Sequence, residues 1–545
     1  MQKKELIKKP HTMKKNILLL VLFFFLFQQC DSKPVIPAEE EKPTENVIPD
    51  DSEEPGDTDE SDDTGDAEEP EVPGVWASAS EINARLGRGI NIGNTYEAEQ
   101  SWQSPFDPAD LKRIADLGFT HVRLPIRWER GDRSLATSPY TITPAFLQVI
   151  QAAVDEALEQ KLHIILNMHH HDALMANPTA EKARFLSQWE QIADHFREYP
   201  DSLLFEILNE PHDQLIPTLW NGYLSEALQV IRTTNPKRCV LIGTAEWGGV
   251  GGLPSLQIPD DPQLILTLHY YNPHTFTHQG ASWSEGSDAW LGTQWHDTQF
   301  ERQAVEQDFK AALRLSVEKQ LPIHIGEFGA YSRADLDSRV RWTRFLARWF
   351  EQQGFSWAYW EWNSGFGIYN PQSGQYEERL VNALTSDPMT EPYEPDYVNL
   401  YSSNFANGQS DGWTLTNNDA SAASTMAVAN NKLTVTVTKP GTVDWHIQLI
   451  KAGMSIEKGK TYRVAFNASS PDSDERRITV DVSRNSDPWT GYGSQSVTID
   501  KSHSAYNLLF TSAHTDSQAR ILFSLGNAGN TRVVMSDIKL MEVQY

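Results

Sequence analysis

Two apolar runs of the chain each carry a glutamate near their end. Residues 205–212 read Phe-Glu-Ile-Leu-Asn-Glu-Pro-His and include Glu210, and residues 323–329 read Ile-His-Ile-Gly-Glu-Phe-Gly and include Glu327. If both runs are buried strands of one sheet, their carboxylates meet at the same edge and can serve as a general acid and a nucleophile. We therefore predict a retaining glycosidase, with Glu210 as acid/base, Glu327 as nucleophile and roughly 5 Å between the two carboxyl groups.

The neighbours of these glutamates support different roles for the two. Pro211 disfavours the helical region for the residue before it, which predicts an extended Glu210. Gly326 has no side chain, and we expect it to leave room for the close approach of a sugar. The mechanism needs a protonated Glu210 and an ionised Glu327, so their surroundings must differ. Arg123 and Tyr271, if placed against Glu327, would favour its charged form.

Eight short apolar strands that alternate with amphipathic helices are predicted to position these residues. The predicted strands cover residues 89–94, 121–126, 163–168, 203–210, 240–245, 264–271, 322–328 and 357–362. Eight strand–helix units predict a (β/α)₈ TIM barrel of the α/β class over residues 75–386.

Polar residues lie on or just after seven of the eight predicted strands, where a barrel builds its active site. The candidates are Asn94, Glu97, Arg123, His169, His170, Asn209, Glu210, His269, Tyr271, Glu327 and Trp360. Asn209 is expected to bind the sugar 2-hydroxyl. Either His169 or His170 is expected to bond sugar hydroxyls or position a carboxylate. Consecutive strand residues point to opposite faces, so the three histidines 169–171 do not predict a metal site, and catalysis should need no cofactor.

The chain after the barrel has a different pattern of polar and apolar residues. A proline-punctuated connector covers residues 387–397, and residues 398–545 alternate polar and apolar positions between turn residues. This pattern predicts an all-β sandwich of the jelly-roll type.

The N-terminal part predicts export. Residues 1–30 combine a basic head, an 11-residue apolar run (17–27) and Cys30, which predicts a lipoprotein signal with Cys30 lipidated, or otherwise a simple secretory signal. We expect a cell-surface or outer-membrane lipoprotein, otherwise a secreted protein, whose only membrane contact is the lipid. Residues 31–74 should form an acidic, disordered tether.

Charge and cysteine content exclude other classes of protein. Residues 39–71 hold 17 acidic residues and one lysine, so of the net charge of −28 only −12 remains for the rest of the chain. No basic stripe is present, and we expect no nucleic-acid partner. Cys30 and Cys239 are the two cysteines, which excludes a disulfide framework. We expect a monomer.

The barrel motifs resemble glycoside hydrolase family 5, the cellulase family. They include Leu208-Asn209-Glu210-Pro211, His269-Tyr270-Tyr271 and Ile325-Gly326-Glu327-Phe328-Gly329, in the family's order. The resemblance implies that Glu210 and Glu327 are the catalytic pair, that Arg123, His169, Asn209, His269 and Tyr271 support them, and that Trp360 stacks on a sugar ring.

Further motifs are similar to a branch of bacterial endoglucanases that act on β-1,4-glucans. They lie at residues 93–98, 243–249 and 271–280. This resemblance implies that Asn94, Glu97, His170 and His278 line the cleft. An endo-β-1,4-mannanase or xyloglucanase on the same scaffold is the main alternative. A non-hydrolytic surface glycan-binding protein is a remote one, because such a protein would be expected to lack one carboxylate.

The C-terminal segment resembles a jelly-roll carbohydrate-binding module of the family 4/9 type. Its motifs include Asp444-Trp445-His446 and Asp487-Pro488-Trp489-Thr490-Gly491-Tyr492. The likeness implies that Trp445, Trp489 and Tyr492 offer rings to a glucan, unless they pack in the interior as Trp413 would. By analogy, a structural calcium could lie near Asp537.

Overall fold

A computed structural model describes residues 76–104 and 106–545. The predicted export signal, Cys30 and the acidic segment lie outside this part of the chain. No helix within it has the length and apolar character needed to cross a bilayer.

Eight parallel strands close into a barrel in which each strand pairs with its neighbours in chain order. They are β1 (Arg88–Asn91), β2 (His121–Leu124), β3 (His163–Asn167), β4 (Leu203–Glu206), β5 (Val240–Gly243), β6 (Leu264–His269), β7 (Ile323–Phe328) and β8 (Ser356–Tyr359). Nearly every strand residue is buried, as expected for strands covered on both faces. The predicted TIM barrel is therefore confirmed.

Within residues 76–104 and 106–545, ten α-helices accompany the barrel strands. They are α1 (Ala79–Leu86), α2 (Ala109–Asp116), α3 (Pro144–Glu159), α4 (Asp172–Ala176), α5 (Pro178–His195), α6 (Pro217–Arg232), α7 (His274–Thr277), α8 (Gln299–Lys319), α9 (Leu336–Gln352) and α10 (Glu378–Thr385). Between β8 and α10 lies a small hairpin, β9 (Tyr369–Asn370) and β10 (Gln375–Tyr376).

Helix α1 precedes the barrel and packs against its interior residues. Ser78 caps the helix reciprocally with Glu81, which satisfies two backbone N–H groups that would otherwise lack partners. Ile82 and Leu86 form one buried cluster with Ile165, Leu204, Cys239, Leu241 and Ile265. Cys239 is thus a buried apolar residue, as predicted, and burial raises the pKa of its thiol to about 12.

Most barrel strands end earlier than the sequence pattern predicts. β4 ends at Glu206, whereas the prediction continued it to Glu210, and β1 ends at Asn91 instead of Asn94. The chain stays apolar past these points, but its backbone leaves the ladder and enters the loops that carry the polar side chains. Sequence polarity alone does not mark that change.

The C-terminal segment forms two packed antiparallel sheets, as predicted. The strands are β11 (Asp396–Ser403), β12 (Thr414–Asn417), β13 (Ala422–Ala429), β14 (Lys432–Pro440), β15 (Ile447–Ile456), β16 (Thr461–Ser469), β17 (Arg476–Ser483), β18 (Gly491–Ile499), β19 (Ser504–Thr511), β20 (Asp516–Ser524) and β21 (Arg532–Gln544). One sheet has the order β13-β14-β21-β16-β19 with β11 beside β21, and the other has the order β12-β15-β20-β17-β18.

Candidate active site

Glu327 lies on β7 and is almost completely buried, with 4% of its surface exposed. Arg123 Nη1 donates to its Oε1 at 2.7 Å, and the Tyr271 hydroxyl donates to its Oε2 at 2.9 Å. His269 Nδ1 lies 3.6 Å from Oε2. Two fixed donors therefore orient both carboxylate oxygens and favour the charged form that a nucleophile needs.

Glu210 follows β4 in a loop and bonds to His269. Its Oε1 lies 2.7 Å from His269 Nδ1. The predicted extended backbone is wrong, because Glu210 has φ +44°. The backbone of Glu210 avoids the right-handed helical region that Pro211 disfavours, but it takes the left-handed region, which costs a residue other than glycine of order 1–3 kcal/mol. The loop holds Glu210 in that conformation while its side chain meets His269.

The two carboxyl groups are close enough for double displacement. One oxygen of Glu210, one oxygen of Glu327 and a ring nitrogen of His269 all lie within 4.8 Å of one another. Inverting glycosidases keep their carboxyl groups ~6.5–9.5 Å apart to admit a water, whereas retaining ones hold them ~5–5.5 Å apart. The spacing agrees with the predicted retaining arrangement.

The same three side chains are the one group of clustered metal-ligand types within the described residues. The geometry opposes a cation there, because the positive guanidinium of Arg123 already bonds Glu327 at 2.7 Å. The Glu210–His269 hydrogen bond also engages one carboxylate oxygen and one ring nitrogen that a cation would compete for. The arrangement is built to hold and move a proton.

His269 shapes how protons are distributed at rest. Burial lowers its pKa, but the charge of Glu327 and the bond to Glu210 outweigh burial and leave the pKa raised above 6.5. Burial raises the pKa of Glu210, but the hydrogen bond and charge of His269 bring it below its ordinary value. For Glu327, burial prevails over the charges of His269 and Arg123, and its pKa is raised. Both directions favour His269 over Glu210 as the carrier of the proton in their shared hydrogen bond, whereas Glu210 was expected to be the protonated partner.

Gly326 makes room for protein atoms. A Cβ at this position would lie 2.7 Å from Thr267 Oγ1 and 3.1 Å from His269 Nε2. Gly326 was expected to leave room for the sugar. In the structure its missing side chain instead lets β6 and His269 pack against β7.

Aromatic and histidine rings line the cleft beside the carboxylates. Trp360 stacks on His169 with ring centroids 5.5 Å apart and planes 8° apart. His170 packs edge-on against His169 at 4.7 Å, and His278 packs edge-on against Tyr271 at 5.0 Å. These predicted residues therefore lie together around the catalytic pair. Burial lowers the pKa of His169 and of His278, so both rings are neutral hydrogen-bonding groups near neutral pH.

Three exposed tryptophans that were not predicted as site residues extend this surface. Trp102 packs edge-on to His170, Trp247 stacks on His212 at 3.8 Å, and Trp283 packs edge-on to Tyr331 at 4.9 Å. Their exposed fractions are 43%, 57% and 60%. Large exposed indoles beside a cleft suit the apolar faces of sugar rings. All three lie in loops, and the strand pattern of the sequence does not predict where loop side chains point.

Asn94 and Glu97 occupy the loop after β1. The Asn94 side-chain amide donates to Ser364, and the Glu97 carboxylate accepts from the backbone N–H groups of Asn94 and Thr95. Glu97 is 1% exposed, and burial raises its pKa to about 8. Glu97 therefore holds this loop from within, and Asn94 beside it is half-buried.

In the sandwich, two of the three predicted sugar-binding rings are exposed. Trp445 and Trp489 are 51% and 52% exposed, whereas Trp413 is a core residue. The guanidinium of Arg520 lies 4.5 Å from the Trp489 ring centroid and stacks on it. Tyr492 is half-buried and its hydroxyl donates to Asp516 at 2.8 Å.

Asp537 has few of the contacts that a calcium site needs. Its Oδ2 accepts from Asn467 at 3.1 Å and from Ser536 at 2.8 Å. No cluster of three carboxylate, histidine or cysteine ligands surrounds it among the described residues. These side chains do not fit a calcium ion, which prefers six to eight oxygen ligands.

Two residues of the site, Asn91 and Glu206, lie inside predicted strands but were not predicted to have a role. Asn91 Oδ1 accepts from Arg123 Nη1 at 2.8 Å, and Glu206 accepts two bonds from the same guanidinium. The sequence does contain a signal for both, namely a charged or amide side chain inside an apolar strand. Such a group is rarely buried without a partner, so its presence indicates a polar contact within the barrel.

Comparisons with known proteins agree with the site. Residues 86–365 match the family model described as Cellulase (glycosyl hydrolase family 5), and residues 399–530 match one described as Carbohydrate binding domain. The structure of endoglucanase Cel5A from Thermotoga maritima is 44% identical, has a TM-score of 0.55, and covers 56% of this chain and 100% of its own.

Curated relatives share the barrel. Endoglucanase H of Acetivibrio thermocellus is 35% identical over 313 residues, which is 56% of this chain and 33% of that protein. Endoglucanase C of the same organism is 27% identical over 336 residues, 54% of this chain and 97% of its own. The chain thus spans about a third of the first of these relatives. The barrel match, which covers residues 86–365 of the 545, shows that this chain belongs to glycosyl hydrolase family 5.

Proposed function

We propose that this protein is a retaining endo-β-1,4-glucanase that cleaves cellulose-like or mixed-linkage β-glucans. The observation that carries the proposal is the placement of Glu210, Glu327 and His269 with one ligand atom of each within 4.8 Å of the others. Endoglucanases among the relatives support the reaction class.

The first chemical step needs a proton and a nucleophile on opposite sides of the glycosidic bond. The proton between His269 Nδ1 and Glu210 Oε1 passes to Glu210 and then to the leaving oxygen as that bond breaks. Glu327, oriented by Arg123 and Tyr271, attacks the anomeric carbon and forms a glycosyl ester. In the second step, Glu210 takes a proton from water, which hydrolyses the ester and frees Glu327.

Replacing either carboxylate tests the roles. We expect Glu327→Gln to lower kcat at least ~1,000-fold on carboxymethyl cellulose while glucan binding persists, because the fold and cleft stay intact. Glu159→Gln, at the exposed end of α3, is the matched control and should keep full activity. Release of reducing sugar by Glu327→Gln at a tenth or more of the wild-type rate would refute the assignment.

The preferred polysaccharide is the second part of the proposal. Cel5A of Thermotoga maritima has been solved with cellobiose and with mannotriose, so an endo-β-1,4-mannanase activity is the main alternative. Equal assays on carboxymethyl cellulose, mixed-linkage glucan, xyloglucan and mannan should show the highest kcat/KM on a β-1,4-glucan or mixed-linkage glucan. A higher value on mannan or xyloglucan would overturn the glucan assignment, and no hydrolysis of any of them would favour a glycan-binding protein.

The C-terminal sandwich is proposed to bind the same class of glycan. The strand register puts Thr479, Asp481 and Ser483 of β17 on one face, opposite the buried Val480 and Val482. Arg520 of β20 donates to Ser483 on this face at 3.0 Å. Trp445 precedes β15 and Trp489 lies in the β17–β18 hairpin, so each offers a ring from its own connection. A polar face with aromatic rings beside it suits a glucan chain.

Binding to insoluble glucan tests the sandwich. In a Glu327→Gln background, which prevents hydrolysis, Trp445→Ala combined with Trp489→Ala should reduce retention on cellulose at least ~10-fold. Trp283→Ala, on the barrel, is the comparison for binding through the catalytic cleft. Unchanged retention of the Trp445/Trp489 double variant would show that the sandwich does not bind through these rings.

Export and lipidation of Cys30 are proposed on the residues of the leader alone. Cys30→Ser should move the protein from the membrane fraction to the soluble exported fraction. Wild-type protein found wholly soluble would refute the anchor. Sedimentation of the purified chain tests the proposed monomer. A chelator should leave the melting temperature of the chain unchanged, and a lower melting temperature would show that a calcium ion stabilises the sandwich.

A further inference from the structure

We propose that Glu206 is a positioning residue of this site: it clamps the Arg123 guanidinium and sets how much positive charge Arg123 presents to Glu327. The inference rests on the proposed function, since it names a further residue for that reaction. Glu206 is the last residue of β4 and is 1% exposed.

The contact between Glu206 and Arg123 is bidentate. Arg123 Nε donates to Glu206 Oε2 at 2.6 Å, and Nη2 donates to Oε1 at 2.8 Å. Both side chains are buried, and two parallel hydrogen bonds of this kind fix the plane of the guanidinium. Arg123 therefore cannot rotate without breaking two short bonds to Glu206.

The remaining donors of Arg123 all point at site residues. Nη1 donates to Asn91 at 2.8 Å and to Glu327 at 2.7 Å, and Nη2 donates to Asn209 at 2.7 Å. With the two bonds to Glu206, all five N–H groups of the guanidinium have acceptors. The plane that Glu206 fixes thus sets the positions of the nucleophile and of the amide expected at the 2-hydroxyl.

Glu206 also balances charge within the site. Arg123 faces two carboxylates, and it would direct its whole charge at Glu327 if Glu206 were neutral. The other titratable groups that act on Glu327 are His269 and Glu210, with His169, Tyr271 and Glu361 also close to it. None of them touches the Nε side of the guanidinium. Removing the Glu206 charge should therefore make Glu327 easier to ionise.

The test compares pH profiles of kcat/KM for Glu206→Gln, Glu206→Asp and wild type. Glu206→Gln keeps the shape and removes the charge, so its acid limb should move to lower pH by roughly half a unit or more, and kcat should fall about 10- to 100-fold. Glu206→Asp keeps the charge but shortens the reach, so its acid limb should stay in place while kcat falls.

Asp297→Asn is the matched control. Arg302 grips Asp297 with the same bidentate geometry, at 2.6 and 2.8 Å, in a buried pair that contacts none of the site residues. This variant should lower the melting temperature without moving the acid limb. A shift in Asp297→Asn equal to that in Glu206→Gln would overturn the inference, because both would then reflect general destabilisation.

A second readout separates this inference from the proposed function. The ¹³C titration of the Glu327 carboxyl, assigned by its absence in Glu327→Gln, reports the same ionisation without turnover. A lower Glu327 pKa in Glu206→Gln supports the inference even if no polysaccharide is cleaved, and an unchanged one overturns it even if the enzyme is active. If Glu206→Gln does not fold, Glu206→Asp decides, since wild-type kcat in that variant would refute a positioning role.

Discussion

At the scale of single residues, the catalytic side chains could be predicted from the sequence, but the residue that carries the catalytic proton could not. Glu210, Glu327, Arg123 and Tyr271 could be predicted because each follows or lies on a recognisable apolar run. The bond between Glu210 and His269 joins residues 59 positions apart, and its length of 2.7 Å depends on how β4 and β6 are placed. Side-chain pairing of this kind decides pKa, and no local pattern carries it.

These pKa shifts predict a bell-shaped pH profile. The pKa of Glu327 is raised above 4.5, so kcat/KM should fall as pH drops through that raised value and the nucleophile gains a proton. The pKa of His269 is raised above 6.5, so kcat/KM should fall again as pH rises through it and the proton for Glu210 is lost. Initial rates between pH 4 and 9 test this, and an acid limb below 4.5 would contradict the burial of Glu327.

At the scale of elements, strand order was predictable and strand ends were not. Hydrophobic runs and helical periodicity located all eight barrel strands, because burial on both faces leaves a clear signal. The loops that follow them hold Trp102, Trp247 and Trp283, and their conformation depends on contacts between loops. The strands also bury two histidines with no catalytic role, His121 of β2 and His324 of β7, with ring centroids 5.2 Å apart.

This histidine pair predicts sensitivity to acid. Burial lowers the pKa of His121 to about 3 and lowers that of His324 well below 6.5. Below pH 6.5 both histidines are protonated in the unfolded chain but stay neutral in the folded barrel. The free energy of unfolding should therefore fall by about 1.4 kcal/mol for each histidine with every pH unit that the pH is lowered. Denaturant unfolding at pH 6 and pH 5 should show a smaller loss in His324→Gln than in wild type. Equal losses would show that His324 does not contribute.

At the scale of the whole molecule, the sequence divided barrel from sandwich but treated the connector only as a break. In the structure the connector is bound to the start of α8. Tyr393 N–H donates to Asp297 O at 2.8 Å, and Arg302 Nη2 donates to Thr390 O at 2.9 Å. Tyr545 of the sandwich stacks on His296 of the barrel with centroids 3.5 Å apart. These contacts join distant residues, so only the folded chain reveals them.

The bound connector should resist proteolysis. We expect chymotrypsin to spare residues 387–397 in the wild type, because a protease must first free the backbone that pairs with Asp297. Arg302→Ala removes the bonds to Thr390 and Asp297 and should expose Tyr393 to cleavage. Mass spectrometry of the fragments gives the site. Equal cleavage at Tyr393 in both proteins would contradict a fixed connector.

The central claim is that Glu327 forms a covalent ester while Glu210 supplies and then recovers a proton. Proton NMR of a soluble cello-oligosaccharide, recorded during the first minutes of hydrolysis, tests it most directly. The reducing end created by cleavage should appear first as the β-anomer and reach the α/β equilibrium only later, because two displacements preserve configuration. Initial release of the α-anomer would contradict the double displacement and the roles given to both glutamates.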